Sequence, residues 1–223
     1  VSLDIRMMTE VAGILGFKSS AIKVLEHENA STRQVVAAVE NWLIEGVGPE
    51  DRILFYFSGH GSQIPDDSKD ENDAFDEVLL LYDAAIEQEG RKQTLTGVLV
   101  DDDFNAMLAR MTSRNIFVIL DACHSGTATR GLRFSPQTIP VDDAQVKYFY
   151  YSPMLESAGA SGRFDLMEPG AVPDINGRYV AITACRDDEK TVATSQGSIF
   201  TLGLRQTWDD REITAKNEAF NTD

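Results

Sequence analysis

Two residues of this chain could act as a nucleophile and its base, and each closes a run of apolar residues. Ile116-Phe117-Val118-Ile119-Leu120 passes directly into Asp121-Ala122-Cys123-His124-Ser125-Gly126, and Ile53-Leu54-Phe55-Tyr56-Phe57 passes into Ser58-Gly59-His60-Gly61. A thiolate attacks carbonyl carbon readily, but a free cysteine is only a few per cent ionised at neutral pH and needs a base or an imidazolium partner. Brought together, Cys123 and His60 could carry out covalent acyl transfer, the chemistry of peptide hydrolysis.

The elements that would bring them together are strands. An uninterrupted apolar run of this length, rich in β-branched residues, reads as a strand buried on both faces of a parallel sheet. In such sheets helices cover the faces, and ligands bind at the carboxyl ends of the strands. Two strands of this form would deliver His60 and Cys123 to one edge. The glycines around His60 allow a sharp turn there. Cys185, in Ala184-Cys185-Arg186, reads instead as a small buried hydrophobe, whereas the Asp, Ser and Gly around Cys123 are too polar for a closed core.

At these residues the chain resembles a known family. Phe57-Ser58-Gly59-His60-Gly61-Ser62-Gln63 and Asp121-Ala122-Cys123-His124-Ser125-Gly126 look like the His and Cys motifs of the metacaspases, in particular their bacterial relatives sometimes called orthocaspases. The resemblance extends through Ala30-Ser31-Thr32, Trp42-Leu43, Asp76-Glu77, Asp101-Asp102-Asp103, Thr183-Ala184-Cys185-Arg186-Asp187-Asp188 and Gly197-Ser198-Ile199-Phe200-Thr201, nearly the whole chain. It implies an α/β fold, a caspase-like three-layer α/β/α sandwich with a mostly parallel central sheet. It also implies cysteine endopeptidase activity after Arg or Lys, through a Cys–His dyad with no third member.

Asp121 stands where caspases carry a glutamine, and a carboxylate at the mouth of a site needs a cationic partner to offset its desolvation. A substrate Arg suits best, because its planar fork can bond a carboxylate twice; Lys is the weaker match. The bland alternative is that Asp121 caps nearby backbone. By resemblance, Ser58 and Asp4 join Asp121 in the S1 pocket, and the backbone N–H groups of Gly61 and Cys123 are the oxyanion donors. Many metacaspases need calcium. Here the resemblance offers Asp76, Asp101 and Asp102 as weak ligands only, because Arg130 stands where an aspartate would complete the set, so no cofactor is expected to be required.

The formal charge of −16 over 223 residues disfavours nucleic acid and anionic membranes and suits a basic peptide or protein substrate. No apolar run approaches the roughly 18 residues of a membrane span. Two cysteines give no disulfide framework, and a working thiol favours a reducing, cytoplasmic setting. The chain begins at Val1 and lacks the apolar strand the family places before its first helix, so a preceding segment is expected. By resemblance the protein is a monomer. Two competing readings remain: a silent caspase-like scaffold, and a caspase-fold peptidase of other specificity.

Along the chain, Leu3 to Leu15 has helical spacing with Gly16 as C-cap, Ala21 to Leu25 leans toward a strand, and Ser31-Thr32-Arg33-Gln34 reads as a capping box before a helix through Leu43. Trp42 and the methionines are expected in the core. Pro65 to Asp73 reads as a surface loop, Val78 to Tyr82 as a strand, Glu87 to Gln93 as mobile, and Leu95 to Val100 as a return to the fold. Asp101-Asp102-Asp103 would cap a further helix. Tyr179 to Ala184 is the last strand, followed by a helix with Phe200, Leu204 and Trp208. This gives a large-subunit-like part over 1–133, an irregular insertion over 134–178 and a small-subunit-like part over 179–223, all within one structural domain. Lys147, Arg163 and Arg178 are candidate self-cleavage points.

Overall fold

The computed structural model describes residues 1–65, 75–123, 145–149, 151, 179–185 and 190–209. The two apolar runs form β1 (Arg52–Ser58) and β5 (Asn115–Asp121), paired in parallel from Arg52 with Asn115 to Ser58 with Asp121. On the far side of β5 lies β7 (Tyr179–Thr183), also parallel, giving the order β1-β5-β7.

Alternate residues of these strands feed two separate cores. Ile53, Ile116 and Val118 pack with Phe104, Met107 and Leu108 of α3 (Asp101–Arg110), with Met111 just after it, and with Val35 and Val36 of α2 (Thr32–Ala38). Leu54, Tyr56, Phe117 and Ile119 face the other way, onto Met8 and Val11 of α1 (Ser2–Ile14) and Phe200, Leu204 and Trp208 of α4 (Ile199–Asp209). Helices therefore cover both faces, and the polar strand ends are left at the edge.

Beside this sandwich, β2 (Gly61–Pro65), β3 (Phe75–Glu89) and β4 (Lys92–Val100) form an antiparallel sheet, and β6 (Gln145–Val146), β8 (Val192–Thr194) and β9 (Gly197–Ser198) form a small second one. β2 follows His60 immediately, and the Leu80 N–H bonds the His60 carbonyl at 2.9 Å. The turn after β1 is thereby held on both sides.

Several local expectations are corrected. Ala21 to Leu25 forms no strand; Ser19–Ala21 is a single 3₁₀ turn and the rest is irregular. Glu87 to Gln93 is the end of a long hairpin, with Glu87 paired to Thr94 and Glu89 to Lys92 across a turn at Gly90. Ladder bonds between backbones need no apolar side chains, so a charged stretch can still pair. Ser31 makes no side-chain cap; Asp83 of β3 instead accepts from the Thr32 N–H at 2.8 Å and the Thr32 hydroxyl at 2.9 Å. Trp42 is 39 % exposed, with the Lys23 ammonium over its ring. It lies on a π-helical turn, Val39–Ile44, that continues α2.

Other expectations hold. Gly16 has φ +85, and the Phe17 and Gly16 N–H groups bond the Ala12 and Gly13 carbonyls, a Schellman stop for α1. Met7, Met8, Met107 and Met111 are buried. The 66–73 part of the expected surface loop, Arg130, Arg163, Arg178, Asp187, Asp188, residues 210–223 and most of 134–178 lie outside the described residues. Within 134–178, residues 145–149 do carry order, because Gln145 and Val146 pair with Ala193 and Val192.

Candidate active site

Ser58 and Asp121 end adjacent parallel strands in register, so the turns that follow them meet at one rim. His60 sits on the first turn and Cys123 on the second. The decisive contact there is made by a residue from the distant segment 145–149. The Lys147 carbonyl oxygen accepts the Gly61 N–H and the Cys123 N–H, each at 3.1 Å. The two backbone donors named as oxyanion donors thus converge on one carbonyl oxygen.

The Lys147 side chain enters a buried anionic hollow. Its ammonium lies 3.0 Å from the Asp121 carboxylate and 3.3 Å from Asp4, and donates to the Ser58 hydroxyl at 2.7 Å and the Asp121 carbonyl at 3.2 Å. The three residues assigned to S1 are therefore brought together, all buried, around an ammonium that is itself only 3 % exposed. Ser58 in turn donates to Asp4 at 2.7 Å. Burial pushes the Asp4 pKa up, but the Ser198 N–H, the Ser58 hydroxyl and the Lys147 charge outweigh it and leave the carboxyl below its usual range.

A second layer holds the carboxylates in place. Asp121 accepts the Ser198 hydroxyl at 2.8 Å and the Thr201 hydroxyl at 2.6 Å, while the Ser198 N–H bonds Asp4 at 2.7 Å. Tyr56 shares a 2.6 Å bond with Thr201, and burial pushes its pKa up, so its phenol stays neutral. Gly197 makes this approach possible. Its φ is +117, and a Cβ there would lie 2.8 Å from both the Asp4 carboxylate and the Met7 methyl.

Cys123 is fully buried, its N–H bonded to the Lys147 carbonyl of the 145–149 segment and its Sγ 2.8 Å from the Thr191 N–H and 3.6 Å from the Thr191 carbonyl. A hydrogen bond with Cys185 is the largest cause of the upward push on its pKa, followed by burial; the Thr191 N–H acts the other way. The thiol is therefore held in its protonated form while the site is covered. His60 is exposed at the rim, yet desolvation and then the Lys147 charge hold its imidazole below the ordinary value, which keeps it neutral and able to accept a proton at pH 7.

These relationships have a parallel among known proteins. The sequence pattern described as "Metacaspase, peptidase C14 domain" matches residues 6–130, more than half of the chain and both strand-end motifs. The chain belongs to the metacaspases. Among similar curated metacaspases, Metacaspase-2 of Arabidopsis thaliana is 37 % identical over 118 residues, covering 50 % of this chain and 26 % of that protein. Metacaspase-1 of Cryptococcus neoformans var. neoformans serotype D is 35 % identical over 120 residues, covering 51 % of this chain and 24 % of that protein. The metacaspase chain described here thus spans about a quarter of the length of these relatives. A solved structure, protein GSU0716 from Geobacter sulfurreducens, matches with a TM-score of 0.62 at 21 % identity, over 94 % of this chain and 72 % of that one, a likeness of fold. The two-faced parallel sheet is the caspase-like α/β arrangement expected of a metacaspase.

Of the family's acidic positions, Asp101 stands at the start of α3, where burial and then the charges of Glu77, Asp102 and Asp76 push its pKa up to about 7. The carboxyl oxygen Oδ1 is buried without a hydrogen-bond partner. Asp101, Asp102 and Asp103 fill the first turn of α3 and do not serve as its N-cap, which is Val100. Among the described residues no group of three or more His, Cys, Asp or Glu side chains is arranged to hold a metal ion. No described helix is long and apolar enough to cross a membrane.

Sequence reasoning did not find Tyr56, Thr191 or the place of Lys147 in the site. Tyr56 is hidden inside an apolar run, and Thr191 acts through its backbone, which leaves no mark in residue type. Lys147 was visible only as one basic residue among three.

Proposed function

We propose that this metacaspase chain is a cysteine endopeptidase that cleaves peptide bonds after Arg or Lys through Cys123 and His60. One observation carries the reading. A basic side chain lies in the Asp4–Ser58–Asp121 hollow while the carbonyl of the same residue accepts the Gly61 and Cys123 N–H groups. This is the placement that cleavage after a basic residue requires.

With a substrate in that place, His60 takes the Cys123 proton and the thiolate attacks the carbonyl carbon. The developing oxyanion is stabilised by the Gly61 and Cys123 N–H groups, each such donor being worth about 3 kcal/mol in related chemistry. His60 then protonates the leaving amine, and water hydrolyses the thioester. Arg, with its flat five-donor fork, can satisfy both carboxylates and Ser58 together, so it is the preferred residue. Neither a metal nor another cofactor takes part in these steps, and the substrate is a basic peptide or protein handled by a monomer in a reducing compartment.

The test is hydrolysis of short fluorogenic peptides ending in Arg, Lys or Asp, in calcium and in chelator. Cleavage after Arg and Lys under both conditions, lost in Cys123→Ala, is expected. Inactivity on every peptide by a folded protein would instead indicate a caspase-like scaffold.

A further inference from the structure

The chain that fills the site continues past the Lys147 carbonyl in a fixed register. The Phe149 N–H bonds the Gly61 carbonyl at 2.9 Å, and the Ser62 hydroxyl donates to the Phe149 carbonyl at 2.7 Å. Ser62 and Ile64 are both buried, and alternate residues of a strand share a face. One side of β2 therefore runs from the residue beside an oxyanion donor into the β2–β3–β4 sheet.

Tyr151, the fourth residue after Lys147, lies on that sheet. It is only 7 % exposed and packs with Ile64 of β2, Val78 of β3 and Leu95, Val98 and Val100 of β4. Its hydroxyl donates to the Gln93 carbonyl at 2.9 Å. A tyrosine suits such a place, because the ring contributes apolar area while the phenol keeps a hydrogen bond in exchange for water. Lys147, four residues earlier, lies in the Asp4–Ser58–Asp121 hollow. Two side chains of one segment are thus received by separate pockets, and the peptide bond after Lys147 lies between them.

We infer that the second pocket is a substrate subsite: the peptidase takes a tyrosine side chain four residues beyond the basic residue after which it cuts. The inference rests on the peptidase reading above and adds to it a preference on the far side of the cut. A substrate that displaces the protein's own Lys147 and Tyr151 gains two anchored side chains, with the backbone between them held by the Gly61 carbonyl and the Ser62 hydroxyl. Anchoring at both ends keeps the reacting carbonyl on the Gly61 and Cys123 N–H groups. A substrate with only a dye after the basic residue has nothing to place in the pocket.

Internally quenched peptides that carry one Arg and differ only in the fourth residue after it, Tyr, Phe or Ala, test this beside a substrate whose dye directly follows Arg. For the wild-type protein kcat/KM should be higher with Tyr than with Ala by about tenfold or more, chiefly through KM. Phe should fall between them, since it keeps the ring and loses the bond to the Gln93 carbonyl. Moving the tyrosine to the third or fifth position should remove the gain. Tyr151→Ala takes away the protein's own competitor for the pocket and should widen the ratio of Tyr to Ala; Tyr151→Phe, which keeps the ring and its packing, should widen it less. Equal kcat/KM for the three peptides, with the dye substrate still hydrolysed, would overturn the inference, make Tyr151 a fixed part of the core and leave the peptidase reading standing. So would a gain of the same size at the third, fourth and fifth positions. Hydrolysis of none of the substrates by the folded wild type would overturn the peptidase reading and this inference with it.

Discussion

Lys147 places a cation close enough to His60 to lower the imidazole pKa, after desolvation has already done so. Removing that cation favours the protonated ring, so in Lys147→Ala the acid limb of the kcat/KM profile should move to higher pH; stopped assays across pH 5–8 with an uncharged acyl substrate would show it. Asp121→Asn keeps the shape and one of the two acceptors for the Ser198 and Thr201 hydroxyls but loses the charge facing the incoming base. For Arg peptides kcat/KM should fall by about 30-fold or more, on the order of 2 kcal/mol, with a much smaller change for neutral peptides. An equal loss of thermal stability with no selective loss of basic substrates would make Asp121 a structural cap instead. The placement of His60, Cys123 and Asp121 at the ends of β1 and β5 was legible from the apolar runs that lead into them. The occupant of the hollow was not, because a lysine that folds back into a pocket and a lysine in solvent look the same in one dimension.

At the scale of elements, β9 and the start of α4 bring the hydroxyl groups and the Ser198 N–H that orient Asp4 and Asp121. Gly197 allows that crossing at a φ costly for other residues. Gly197→Ala should lower stability by about 1–3 kcal/mol and raise KM for Arg peptides, read from thermal melts and initial rates. Asp83→Ala should destabilise α2 by about 0.5–1 kcal/mol with unchanged cleavage, since its carboxylate serves as the helix cap from a neighbouring sheet. This long-range cap also explains why the Ser31 capping box, a purely local pattern, failed. β1, β5 and α1 were readable because their apolar periodicity is set by the core they face. The outer half of the β3–β4 hairpin was not, because backbone pairing at an exposed edge imposes no hydrophobic period.

Over the whole molecule, the parallel sheet joins β1 and β5 to β7 from the last fifth of the chain, and α1 packs against α4 across the same face. Both ends of the described fold therefore complete one site. Among the acidic groups, Asp101 titrates near 7 when folded against an ordinary value of 3.8. Between these values the folded protein binds more protons than the unfolded chain, so this group costs stability as pH rises from 4 through 7. In calcium-free buffer Asp101→Asn should raise the melting temperature more at pH 8 than at pH 5; a gain of the same size at both would remove Asp101 as the cause. The strongest check on the account as a whole is the ratio of kcat/KM for an Arg peptide to that for the matching Asp peptide, measured on the wild-type protein. A ratio of at least a hundred that vanishes in Cys123→Ala is predicted, and a ratio near one, or hydrolysis that survives loss of the thiol, would contradict it.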